Sequence, residues 1–189
     1  MEEIEVKFLD IDPSKIEWKL KKIGAKKEFD RIYKSKVFDY PDFRLDQDHS
    51  WIRLRDEGEK IALTFKKRLG TKKTGENDDG MLEHETTVGN FKETADIFIA
   101  AGFVQKYYAE KRRIRYLLDD IEFDIDFCPM LKPYLEIEAK SWEDIDKAIN
   151  LLGLNPKDKK IFSMTQVYKI NGINEFDYKE LTFDRLVKR

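Results

Sequence analysis

A single cysteine, Cys128, stands among 189 residues. It cannot form an internal disulfide or a cysteine-based zinc site. The two histidines, His49 and His84, lack the spacing of a metal-ligand motif. No apolar run approaches the ~18 residues that a membrane-spanning helix needs. The acidic start, Met1-Glu2-Glu3, has no hydrophobic stretch behind it, so no signal peptide is expected and the cytoplasm is the expected compartment. An excess of one charge is also missing. Lys and Arg number 36 against 38 Asp and Glu, a net charge of −2, which argues against bulk electrostatic binding of nucleic acid or an anionic membrane. There is no G-x-S-x-G nucleophile motif. Gly70-Thr71-Lys72-Lys73-Thr74-Gly75 is followed by Glu76, where a Walker-type phosphate loop requires Lys.

Hydrophobic residues make up 41% and aromatics 13% of the chain, enough for a core. Charged residues make up 39%, against a usual ~25%. The alternation of side chains shows where that charge is placed. Segments 2–8, 51–55, 61–66, 122–127 and 135–139 each alternate apolar with ionic residues, the period of a half-buried strand. Segments 27–40, 81–88 and 103–118 also read as strands. Asp12-Pro13 opens a helix that Gly24 ends, Asn90 with Glu93 opens a second that Gly102 ends, and Ser141 with Asp144 opens a third that Gly153 ends. The chain reads as helical from about 155 to 169, with a terminal helix over 175–188. Residues 70–80 hold no stretch that could pack and read as a long connection, a candidate lid. No domain boundary stands out, so one domain over 1–189 is expected, α+β in class, with a barrel or a strongly curved antiparallel sheet.

The polar sides of these strands are almost purely ionic. Glu3/Glu5, Glu83/Glu85, Asp124/Asp126 and Glu136/Glu138 are acidic pairs two residues apart; Lys7, Arg53/Arg55, Lys66 and Lys111/Arg113 are basic. Residues so spaced share a strand face, ~7 Å apart at ~3.3 Å per residue. Paired carboxylates favour a cation beside them. Paired guanidinium or ammonium groups favour a multiply charged anion. Two readings follow from the pattern alone. The faces form a solvated charged surface of cross-strand pairs, or they converge on a cavity holding hard divalent cations such as Mg²⁺ or Mn²⁺ and a polyphosphate.

Glu3-Ile4-Glu5-Val6-Lys7 resembles the E-x-E-x-K signature of the CYTH superfamily, the triphosphate tunnel metalloenzymes. Arg53-x-Arg55, Lys66, Glu83-x-Glu85, Lys111-Arg112-Arg113, Asp124-x-Asp126 and Glu136-Ile137-Glu138 continue the resemblance in order, over about residues 1–140. The second strand keeps only Tyr33, Ser35, Val37, Phe38 and Asp39 of the family's usual run. The resemblance implies a closed or nearly closed eight-stranded antiparallel barrel with flanking helices, binding a small-molecule triphosphate with Mg²⁺ or Mn²⁺. It implies phosphate contacts from Lys7, Arg53, Arg55, Lys66, Lys111 and Arg113. It implies metal contacts from Glu3, Glu5, Glu136 and Glu138, supported by Glu85 and Asp124. Glu5, Glu138 and Lys66 are expected to carry the chemistry. Hydrolysis of inorganic or organic triphosphates is the expected reaction. Class IV-type cyclisation of ATP and non-catalytic polyphosphate or nucleotide binding are the alternatives.

Overall fold

The computed structural model of the protein describes residues 4–69 and 81–189. Glu3 and the 70–80 connection, read above as a metal contact and a lid, lie outside the described residues. In chain order the elements are β1 (Ile4–Phe8), α1 (Pro13–Lys22), β2 (Lys26–Asp39), α2 (Arg44–Gln47), β3 (Ser50–Asp56), β4 (Ile61–Arg68), β5 (Met81–Val88), α3 (Phe91–Ala100), β6 (Val104–Leu118), β7 (Ile121–Phe127), β8 (Tyr134–Ala139), α4 (Trp142–Leu152), α5 (Met164–Ile170), β9 (Tyr178–Leu181) and β10 (Leu186–Lys188). All eight expected strands form, as do the helices expected from Asp12, Asn90 and Ser141. Their caps are those the sequence suggests. Asp12 accepts from the Lys15 amide at 3.2 Å, Asn90 from Glu93 at 3.0 Å and Ser141 from Asp144 at 3.1 Å. Gly24 and Gly153 take the left-handed conformation that stops α1 and α4.

The chain forms two compact units, Met1–Ile32 with Lys111–Glu175, and Tyr33–Glu110 with Phe176–Arg189. In the first, the strand order is β1-β8-β7-β6-β2. β1/β8, β8/β7 and β7/β6 are antiparallel pairs. One face of this sheet packs Val6, Phe8, Leu135, Ile137, Phe123, Ile125, Ile114 and Tyr116 against Ile16 and Leu20 of α1 and Ile145, Ile149 and Leu152 of α4. In the second unit the order is β2-β3-β4-β5, again antiparallel. Phe38, Leu54 and Ala95 form its core, with Ile52, Leu63, Phe98 and Phe103 packed around them. In both units the apolar alternation is spent on the core, and the ionic alternation falls on the opposite face.

Three features differ from the sequence expectation. The helix expected from about 155 to 169 is broken: a 3₁₀ turn at Pro156–Asp158 ends just before Lys160, which bridges to Lys7 of β1, and helix resumes only at α5, behind the Ser163 cap. The helix expected over 175–188 is absent. A short 3₁₀ turn at Glu175–Asp177 leads instead into the β9/β10 hairpin. Thr182 closes that hairpin by accepting from the Arg185 amide at 2.9 Å, and β9 pairs in parallel with β6 through Tyr108 and Ala109. Pairing with a distant strand overrides local propensity here. The third difference is α2, which sequence periodicity did not indicate. Its first-turn amides, Leu45 and Asp46, donate to the buried Asp39 carboxylate at 3.0 and 3.1 Å. Among the described residues no helix is long and apolar enough to cross a membrane.

Candidate active site

Strand register sorts the charges of the first unit into rows. Glu5 lies opposite Glu138, and Glu138 opposite Glu122. One step along, Lys7 faces Glu136, Glu136 faces Asp124, and Asp124 faces Arg115. One step further, Tyr134 faces Asp126 and Asp126 faces Arg113. Directly opposed residues share a face with Cβ atoms ~4.5–5.5 Å apart. The first row is therefore wholly acidic, and the next two mix both signs.

The mixed rows form a buried ion-pair lattice around Arg113. Its guanidinium donates to both Asp126 oxygens at 2.8 and 2.7 Å, to Glu136 Oε1 at 2.8 Å, and reaches Asp124 Oδ2 at 2.5 Å. Arg115 grips Asp124 with two bonds of 2.8 and 2.6 Å. Lys111 reaches Asp126 at 2.9 Å. Burial alone would raise the Asp126 carboxyl, but Arg113 and Lys111 outweigh it and hold the group well below the usual carboxylate range. Glu136 is lowered in the same way, burial being outweighed by Arg113 with help from Lys111 and Lys7. Arg113 is itself pushed up: burial opposes its charge, and its carboxylates more than compensate.

At the edge of the lattice, carboxylate oxygens of Glu5, Glu136 and Glu138 lie within 4.8 Å of one another. Lys7, 3% exposed, pairs with Glu5 and, at 3.1 Å, with Glu136. Among the described residues of β1, β6, β7 and β8, this face carries six carboxylates (Glu5, Glu122, Asp124, Asp126, Glu136, Glu138) and four cations (Lys7, Lys111, Arg113, Arg115), and Arg31 of β2 adds a fifth cation, its guanidinium 4.7 Å from the centroid of the Phe29 ring that Arg115 also approaches. An all-oxygen donor set at the triad suits Mg²⁺ or Mn²⁺.

The second unit carries a basic face. Arg53 lies opposite Thr64, and Thr64 opposite Glu85; Trp51 lies opposite Lys66, and Lys66 opposite Glu83. Lys66 pairs with Glu83 at 2.7 Å. Glu85 accepts from Lys60 at 3.0 Å and from Thr64 at 3.1 Å. Burial works against its charge, but those two donors lower its pKa. Arg55 donates to Glu57 Oε1 at 2.6 Å, and its guanidinium lies 5.4 Å from the Tyr33 ring centroid. Arg53 differs from these. Its buried Nε has no hydrogen-bond partner among the described residues. Burial and then the neighbouring Arg55 cation lower its pKa to about 10. A pair of guanidinium groups with one buried donor unsatisfied favours an anion beside it.

The expected residues are thus gathered in two sets. Glu5, Lys7, Lys111, Arg113, Asp124, Glu136 and Glu138 share the face in the first unit. Arg53, Arg55, Lys66 and Glu85 share the face in the second. Asp124, expected to support a metal, has its oxygens engaged by two arginines. Sequence reasoning missed Arg115, Glu57 and Thr64. Arg115 had a signal, since it continues the Lys111/Arg113 period by one more step.

Cys128 is sealed in the first unit, with its sulfur 3.9 Å from the Tyr134 hydroxyl. Burial pushes its thiol up to about 12, so it is neutral at pH 8 and no nucleophile. Native protein at that pH is expected to resist alkylation by iodoacetamide and to take up one equivalent after denaturation. Mass spectrometry reads both outcomes.

The CYTH domain family model matches residues 1–161. A Methanocaldococcus jannaschii protein bearing an adenylate cyclase name is 29% identical over 177 residues, covering 93% of this chain and 92% of its own. Three solved structures share the fold. A conserved hypothetical protein from Pyrococcus furiosus has a TM-score of 0.67 at 22% identity, covering 88% of this chain and 99% of its own. A Vibrio parahaemolyticus protein titled as an adenylate cyclase has a TM-score of 0.70 at 15% identity, covering 88% and 97%. A Hippeastrum protein, titled as an adenylyl cyclase with a dominant triphosphatase activity, has a TM-score of 0.64 at 14% identity, covering 93% and 98%.

Proposed function

Since the chain belongs to the CYTH domain family, whose enzymes are metal-dependent and act on triphosphates, we propose that it is a metal-dependent hydrolase of inorganic or organic triphosphates. The observation that carries this reading is the Glu5, Glu136 and Glu138 triad, its oxygens within 4.8 Å of one another. A divalent cation held by the triad would neutralise phosphate oxygens and the charge that develops on them. The protein's own contribution is positioning and electrostatics, because phosphoryl transfer asks little covalent work of it. Arg53 and Arg55 bind phosphate oxygens, and an arriving anion relieves the burial and mutual repulsion that depress Arg53. Glu57 and Tyr33 keep Arg55 oriented. Lys66, on the same face of the second unit, adds a third cation. On the face of the first unit, Lys7, Lys111 and Arg113 are the cations for phosphate oxygens, and a carboxylate of the acidic row orients water for in-line attack on the terminal phosphorus. The bridging P–O bond then breaks, and a pyrophosphate group leaves from tripolyphosphate. A second reading, cyclisation of ATP, draws on the name of the Methanocaldococcus relative.

Incubation with tripolyphosphate, ATP or thiamine triphosphate, each with Mg²⁺ or Mn²⁺, separates these readings when products are resolved by chromatography. Orthophosphate and pyrophosphate from tripolyphosphate are expected. Cyclic AMP with pyrophosphate from ATP would replace the hydrolase with the cyclase. Binding without any product would overturn both.

A further inference from the structure

Among the described residues, both ion-pair partners of Lys7, Glu5 and Glu136, belong to the acidic triad. Arg113 also touches the triad through Glu136, but it has Asp124 and Asp126 as well and can release one Glu136 oxygen while keeping a bidentate partner. Among the described residues Lys7 has no such reserve. The residue is 3% exposed, and its ammonium pairs with two of the carboxylates that a cation at the triad would use. A divalent ion and this ammonium compete for the same oxygens, because a carboxylate oxygen pointed at one is withdrawn from the other.

We propose that Lys7 is an internal stand-in for the metal: it neutralises Glu5 and Glu136 while the triad is vacant and is displaced when a divalent cation arrives. The displaced ammonium, still confined to a buried face, then lacks a counter-charge and turns to a phosphate oxygen. One residue thereby makes metal loading a condition of a complete triphosphate grip. This rests on the functional reading above, and it assigns to Lys7 an order of events that a plain phosphate contact would not have. Coupling through a shared group is reciprocal, so triphosphate that holds Lys7 away also tightens the metal.

The test uses Mn²⁺ alone, with no triphosphate, titrated into the full chain and followed by calorimetry. Lys7→Gln is expected to bind Mn²⁺ at least about fivefold more tightly than the wild type, the lower end of ordinary coupling strengths. Lys7→Arg, which keeps the charge, is expected to stay within about twofold of the wild type, well below that coupling. Lys132→Gln removes one charge from the same unit, but at Asp10 outside the site, and is expected to leave Mn²⁺ affinity nearly unchanged. Unchanged or weaker Mn²⁺ binding in Lys7→Gln would overturn the proposal, and so would an equal gain in Lys132→Gln. Should Lys7→Gln fail to fold, the wild type carries the test. The Lys7 side-chain ammonium resonance, ¹⁵N-detected in the metal-free protein, is expected to shift when diamagnetic Mg²⁺ is added; an unmoved resonance at saturating Mg²⁺ would refute displacement. Failure of the functional reading is distinct. It would show as Mn²⁺ binding indifferent to Glu138→Gln, together with no turnover of any triphosphate.

Discussion

Glu138→Gln is expected to reduce metal-dependent phosphate release from tripolyphosphate by on the order of 10²–10³, the scale of losing one preorganised electrostatic group from an active site. The fold is expected to survive the change. Glu138 is only half-buried, and it lies between Glu5 and Glu122 in a row of like charges. The isosteric amide keeps the shape of the side chain in a row of opposed carboxylates. The variant should still unfold cooperatively in metal-free thermal denaturation, and it should lose the metal's effect on rate. That pairing of intact stability with lost turnover distinguishes a functional carboxylate from a structural one. Wild-type turnover in the variant would remove Glu138 from the site.

Arg113 is expected to behave in the opposite way. Replacing it with Met leaves Asp124, Asp126 and Glu136 buried with their shared counter-charge gone, a loss of about 3–5 kcal/mol for breaking a buried ionic network from one side. Urea unfolding at neutral pH measures it. The pH dependence has a definite sign. Asp126 and Glu136 have lowered pKa values in the folded protein. The stability they contribute is complete above the ordinary carboxylate range, and it drains away as pH falls through that range toward their depressed folded values. The gap between wild type and Arg113→Met is therefore widest near pH 7 and narrows below about pH 4, where carboxylates are protonated in the unfolded chain. A gap that stays constant from pH 7 to pH 3 would mean that Arg113 acts through packing of its side chain alone.

Much of this arrangement was legible in the sequence because a strand has a strict period of two. Once Val6, Ile137, Ile125 and Leu54 are assigned to cores, Lys7, Glu136, Glu138, Asp124, Asp126, Arg53 and Arg55 have only the other face to occupy. What the period cannot supply is register. That Arg115 meets Asp124, that Thr64 meets Glu85, and that Asp124 is thereby claimed by arginines all depend on which residue of one strand stands across from which of the next. Glu57 lies just beyond β3, past the end of the strand whose alternation would have marked it. Helix α2 has four residues, too few for a periodic signal, and it depends on Asp39, several residues upstream. The C-terminal hairpin was misread as helix because β9 is short and takes its conformation from pairing with β6.

The pairing of β1 with β8 brings Ile4 to Ala139 and Glu5 to Glu138 across most of the chain's length. Such distant closures come late and slowly in folding, because loop entropy must be surrendered before contacts form. This seam also opposes two carboxylates, Glu5 and Glu138. A divalent cation held there, as proposed, would clasp the first strand, because an ion that binds only the finished seam favours the finished state by mass action. Chelation would then undo more than chemistry, by loosening the first strand from its distant neighbour.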